Sequence, residues 1–225
     1  MMDLRVSRKT VQQGTFEKLK DAILAGVFQP GERLVEANLC EQLGVSRASL
    51  REALRSLQSE RLIDFIPNRG PQIPVLSWKE AEDIYDLRAL LEGEAAARCA
   101  SAIGDDDIGS LSATVQTLRR VVKTNNSADK LKCARAFYDV LLHNCGNEMI
   151  KQTLNGLHAR INFLRARSMS LPGRTKASYE EMNALYLAIK DRDPKAARKI
   201  AQQHVQNARE AAREAFKEGQ RDNQA

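Results

Sequence analysis

Residues 36–76 read EANLCEQLGVSRASLREALRSLQSERLIDFIPNRGPQIPVL. From Ser46 onward, Leu50, Ala53, Leu54 and Leu57 fall on one arc of a helical wheel, and Arg47, Arg51 and Arg55 recur at four-residue spacing on a neighbouring arc. The pattern predicts a helix that packs with one face and offers the other to phosphates and base edges. Ser46 suits the N-cap, and the helix is expected to run to about Glu60. Ahead of it, Glu36–Leu43 reads as a short helix closed by Gly44-Val45, which completes a helix-turn-helix pattern. Behind it, two β-type runs, Leu62–Ile66 and Gln72–Leu76, flank the turn signal Pro67-Asn68-Arg69-Gly70. The hairpin so predicted is a wing with Arg69-Gly70 at its tip. Glycine lets the backbone come close to DNA, and arginine offers charge to a phosphate or a narrow minor groove. Three arginines on one amphipathic helix are usually just a solvated face; it is their order with the turn and the hairpin that points to DNA.

Working outward, Val11–Ala25 reads as a helix with Phe16, Leu19, Ile23 and Leu24 as its apolar positions, followed by a Pro30-Gly31 turn. After Ser77, itself a cap, everything reads as helix: about 78–101, 106–123, 128–144, 147–168, 176–191 and 194–218, with a frayed tail over Glu218–Ala225. Short breaks between these helices predict antiparallel neighbours. The expected fold is mainly α: a winged helix-turn-helix domain over residues 1–77 with one β-hairpin, then an all-α antiparallel bundle over 78–225.

Composition sets the outer limits. The chain has 225 residues, 43% hydrophobic and 28% charged, an ordinary globular balance. No apolar run approaches the length of a membrane span, and no apolar block follows the charged N-terminal stretch as in a signal peptide. The four cysteines, Cys40, Cys99, Cys133 and Cys145, form no C-x-x-C pair, which fits a reducing cytoplasm. The net charge of +6 permits a polyanionic partner without proving one. It is spread: residues 1–77 hold 11 Lys and Arg against 9 Asp and Glu, and the remainder 24 against 20. The positions of the arginines therefore matter more than their number. The sequence contains no H-E-x-x-H, Glu-x-x-His, G-x-S-x-G or P-loop pattern, and only three histidines, so an enzyme is not expected.

Residues 12–76 resemble the winged helix of the GntR family of bacterial transcription regulators. The resemblance is carried by Ala22-Ile23-Leu24-Ala25-Gly26, Pro30-Gly31-Glu32-Arg33-Leu34, Leu43-Gly44-Val45-Ser46-Arg47, Arg51-Glu52-Ala53-Leu54 and Pro67-Asn68-Arg69-Gly70. It implies that Ser46, Arg47, Ser49 and Arg51 approach the major groove, that Gly70 reaches the minor groove, and that Arg33 sits near a phosphate. The family usually has Thr-Pro after the Ser-Arg pair, where this chain has Ala48-Ser49, so its operator sequence is expected to differ.

The region from Trp78 to Phe216 resembles the FCD-type effector domain of the FadR subfamily, through Leu87-Arg88-Ala89-Leu90-Leu91-Glu92, Ala95-Ala96-Ala97-Arg98, Gly146-Asn147, Ala188-Ile189 with Asp191-Arg192-Asp193, and Ala196-Ala197 with His204. Members normally carry a metal site of one Asp and three His. Mapped here, those positions are Ala134, Tyr138, Met182 (after Glu181) and His204. With one ligand left, the resemblance implies a bundle with no metal and no other cofactor. Tyr138 and His204 would hydrogen-bond an effector, Arg88 would meet its anionic group, and Met182 would pack against its apolar part. The alternative is that Tyr138 and Met182 simply fill the pocket.

The resulting expectation is a ligand-responsive transcription regulator, partnered by a double-stranded operator, a second copy of itself and a small effector, possibly a carboxylate. One recognition helix reads few base pairs, so a palindromic site read by a homodimer is expected. The other readings are a winged-helix DNA binder whose bundle only dimerises, and an all-α enzyme with an appended DNA-binding domain.

Overall fold

The computed structural model describes residues 11–24, 26–124 and 126–222. The chain divides into two compact units, Met1–Val75 and Leu76–Ala225. The first holds α1 (Val11–Leu24), α2 (Glu36–Leu43), α3 (Arg47–Ser59), β1 (Asp64–Ile66) and β2 (Gly70–Gln72). Ala25, the expected last residue of the first helix, lies outside the described residues.

The amphipathic pattern of α3 decides this unit. Leu50, Ala53, Leu54 and Leu57 are fully buried, and α1 packs against α3 with Leu19 and Ile23. The Ser46 side chain accepts a hydrogen bond from Ser49 N at 3.2 Å and so caps α3. Gly44 ends α2 at φ +64, a left-handed backbone that glycine adopts without a Cβ penalty. The strands are shorter than the β-type runs suggest. Only Asp64–Ile66 and Gly70–Gln72 pair, antiparallel, with Ile66 opposite Gly70. A hairpin this short needs support. Residues 31–34 supply it: Leu34 N donates to Pro71 O at 2.8 Å and Ile73 N to Glu32 O at 2.9 Å. Pro71 lacks an N–H and so sits where its carbonyl alone is used.

The second unit is all helix among the described residues: α4 (Trp78–Ala102), α5 (Asp105–Val121), α6 (Ser127–His143), α7 (Glu148–Gly156), α8 (His158–Met169), α9 (Arg174–Lys190) and α10 (Pro194–Asp222). Two expectations are corrected. The stretch 147–168 is not one helix; it breaks at Leu157 into α7 and α8. And α10 runs on to Asp222 through most of the expected frayed tail, whose last three residues lie outside the described residues. Ser77 and Glu80 form a reciprocal capping box at the start of α4. α4 and α10 pack along each other through small residues, Ala81, Ala95, Ala96 and Ala100 on one and Ala197, Ala201, Ala208 and Ala212 on the other. The approach is close at Gly93, where a Cβ would come within 2.8 Å of Gln202. α8 and α9 also lie against α10, and α6 contacts both α4 and α8. These five helices enclose the bundle's interior. No helix among the described residues is long and apolar enough to cross a membrane.

Truncating Leu54 to Ala should remove about 2–5 kcal/mol from the first unit. Chemical denaturation should show an earlier transition for that unit and an unchanged one for the helical bundle.

Candidate functional site

On the first unit, Arg47, Arg51 and Arg55 are all exposed along α3. Arg51 is held by Glu36 of α2, with Nε donating to Oε2 at 2.9 Å, while its side chain stays 61% exposed. The pair fixes the side chain's direction at little energetic gain, as exposed pairs do. Arg55 is paired to Glu52 within the helix. Ser46 and Ser49 lie at the start of α3, their hydroxyls 3.1 Å apart. There the helix N-terminus favours phosphate. Arg69 is exposed at the hairpin turn, beside Gly70 at φ +83. Arg33 bridges to Gln72 of β2 and so lies against the wing.

In the bundle, Arg88 of α4, Tyr138 of α6, Met182 of α9 and His204 of α10 line one cavity, together with Ala134. The sequence did not single out the other groups there: Arg165 and Ser168 from α8, and Arg174 and Ser178 from α9. The space is small, about 10 Å³, room for roughly one water.

The electrostatics are unusual for an interior. Arg88 is 0% exposed, and its Nε donates to Glu92 Oε1 at 2.7 Å; Glu92 is 2% exposed. Burial works against both charges, but each outweighs it for the other: Glu92 raises the Arg88 pKa, and Arg88 with Arg165 holds the Glu92 carboxyl below the usual range. Arg165 lies 4.4 Å above the centre of the Tyr138 ring, and burial, then Arg88, lowers its pKa. Burial pushes the Tyr138 phenol up, so it stays protonated. Arg174 grips Glu181 with both Nη atoms, at 3.1 and 2.8 Å. Glu181 also meets His204 Nδ1 at 2.6 Å and accepts from Asn207 at 2.7 Å. Burial pushes His204 below its ordinary pKa, although Glu181 pulls the other way. The neutral imidazole thus donates from Nδ1. Three guanidiniums face two carboxylates, an excess of one positive charge.

These residues do not fit the metal of the resembled family. Zinc and its neighbours need about three protein ligands. Ala134 has no donor, Met182 offers a thioether, and Tyr138 keeps its proton, which leaves His204 as the one ordinary ligand of the four. The guanidinium of Arg88 adds a repelling charge. Among the described residues no group of three His, Cys, Asp or Glu could hold an ion.

A helix-turn-helix with a wing, joined to a bundle with a polar interior cavity, defines a ligand-responsive, DNA-binding transcription regulator. The model of the FCD domain matches residues 83–207, and that of the bacterial regulatory proteins of the gntR family matches residues 11–73. The chain therefore belongs to the GntR family, in its FCD-type branch. Among curated proteins it is 24% identical to the uncharacterized HTH-type transcriptional regulator YdhC of Bacillus subtilis (strain 168), over 91% of this chain and 92% of that one. It is 27% identical to the HTH-type transcriptional repressor GlaR of Escherichia coli (strain K12), over 83% and 89%. Among solved structures, E. coli McbR/YncC shares the fold with a TM-score of 0.78 at 21% identity, over 88% of this chain and 95% of that one.

Replacing Glu92 with Ala leaves Arg88 buried without its counter-charge and should cost about 3–5 kcal/mol. Glu82→Ala, which breaks a part-exposed pair with Arg209, should cost under about 1 kcal/mol. Denaturant midpoints of the bundle transition separate the two; similar values would contradict the charge cluster described.

Proposed function

We propose that the chain acts as a homodimer on a palindromic operator in the cytoplasm, and that a small carboxylate held in the bundle changes its operator affinity. In this reading Arg47, Arg51, Ser46 and Ser49 meet the major groove, Arg69 and Gly70 the minor groove, and Arg33 a phosphate. Arg88, Tyr138, Met182 and His204 form the effector site. The observation that carries the effector reading is the convergence of these four side chains, from four different helices, on one cavity with surplus positive charge. An anion is the ligand such a cavity stabilises best. It can shift the regulator only through a difference in its affinity for the arrangements that bind and release DNA. The chain has no catalytic role in this reading.

The small volume of the cavity favours a second reading, in which Tyr138 and Met182 fill the pocket and the bundle only dimerises. Operator affinity measured with and without an anion panel separates the two: a dimerisation module gives the same affinity throughout.

Arg51→Ala and Arg47→Ala should each weaken operator binding by about 1–3 kcal/mol, or roughly 5- to 150-fold, in fluorescence anisotropy. Wild-type affinity in both variants would overturn the assignment of α3. Light scattering should give a dimer at micromolar concentration, and a monomer with and without operator would contradict the palindromic reading.

A further inference from the structure

We infer that the bundle's ligand is a monoanion, a single carboxylate on a short apolar body, with its head on Arg88 and its body reaching past Tyr138 into a second chamber. The inference rests on the reading of the bundle as an effector domain and deepens it.

The head group follows from the hydrogen-bond inventory. Arg88 Nη1 and Nη2, Arg174 Nε and the Tyr85 hydroxyl are buried without a partner among the described residues. The Glu92 carboxylate beside them already takes hydrogen bonds from Arg88 and Tyr138. Donors therefore exceed acceptors. A buried polar group left unpaired is costly, and a guanidinium with two free Nη atoms matches a carboxylate in planar, two-point fashion. The excess of one positive charge matches one negative charge, not two.

The body follows from the second chamber. Beside the Arg88 cavity lies another, of about 20 Å³, lined by Leu142, Leu154 and Ile161 with Glu92, Tyr138 and Arg165. Tyr138 and Arg165 line both cavities. Their stacked pair is common to both, and the inferred ligand requires the Tyr138 ring to turn with Arg165 so that the two spaces join. A ligand with one carboxylate on Arg88 then lays its remaining atoms on leucine and isoleucine. A second carboxylate would meet Glu92 and Asp139 there, and Arg135, the other cation of that chamber, is already paired with Asp139 at 3.2 Å. With Arg165 counted, two guanidiniums match two carboxylates in that chamber, so a second ligand carboxylate finds no surplus cation there and meets apolar walls.

The test is a thermal-shift series on the full chain. The probes are butyrate, hexanoate and benzoate, set against succinate and adipate and against the corresponding amides, at equal ionic strength. At about a hundredfold excess over Kd, a bound monocarboxylate should raise Tm by about 5–10 °C. Amides and dicarboxylates should leave it unchanged. Arg88→Gln should abolish the response. Because that variant strands Glu92, the double variant Arg88→Gln with Glu92→Gln, which replaces the ion pair with two neutral amides, should abolish it too. Stabilisation by no monocarboxylate, or stabilisation that persists in the folded double variant, overturns the inference. A dicarboxylate that stabilises in an Arg88-dependent way overturns the monoanion but leaves the effector reading standing. Silence from every carboxylate overturns both.

Discussion

The Arg88–Glu92 pair, buried in the bundle, is the constraint on which the rest of that unit depends. Taking two ions out of water costs several kcal/mol each, and their mutual attraction offsets this only when the geometry is good and the remaining polar atoms are satisfied. Here the geometry is good, with a short contact one helical turn apart on α4. The remaining atoms are not satisfied, since both Nη atoms of Arg88 lack partners among the described residues. Arg88 lines the interior cavity, so a group bound there can partner those atoms. Ligand binding gains most where such a lack can be made good.

Five helices supply side chains to this cavity, and the small-residue seam between α4 and α10 makes that possible. Alanines along the seam and Gly93 against Gln202 bring the two long helices close. Arg88 and His204, one on each, are thereby set beside the same space. α8 closes it with Arg165 and Ser168. The same helix reaches the start of the bundle, where Arg167 lies over the Phe216 ring at 4.5 Å and Phe216 meets Trp78, the first residue of α4, edge-on. The helix that lines the cavity thus also touches the side chain that packs on the first residue of α4.

The first unit was legible because its signals are local. Ser46 caps, Gly44 turns, and the spacing of Leu50, Leu54 and Leu57 gives the buried face of α3 without reference to any other part of the chain. The wing was legible in position but not in extent, because its pairing is limited by the 31–34 segment, which no local pattern reveals. In the bundle, helix existence was legible and the Leu157 break was not: residues 153–161 contain no proline, and Gly156 alone is a weak stop. Of the candidate site, Arg88, Tyr138, Met182 and His204 were picked out by the sequence and line one cavity. Glu92 carried a usable signal, its four-residue spacing from Arg88. Arg165 and the Glu181 hub with Arg174, His204 and Asn207 carried none, because their partners sit on other helices and only packing unites them.

In the reading proposed for the bundle, guanidinium, phenol and imidazole groups hold the ligand in place of a metal ion. Elemental analysis by inductively coupled plasma mass spectrometry, on untagged protein exposed to zinc, nickel and manganese and then dialysed, tests this most directly. The account predicts far less than one metal ion per chain. Near-stoichiometric metal that disappears in a His204→Ala variant would contradict it.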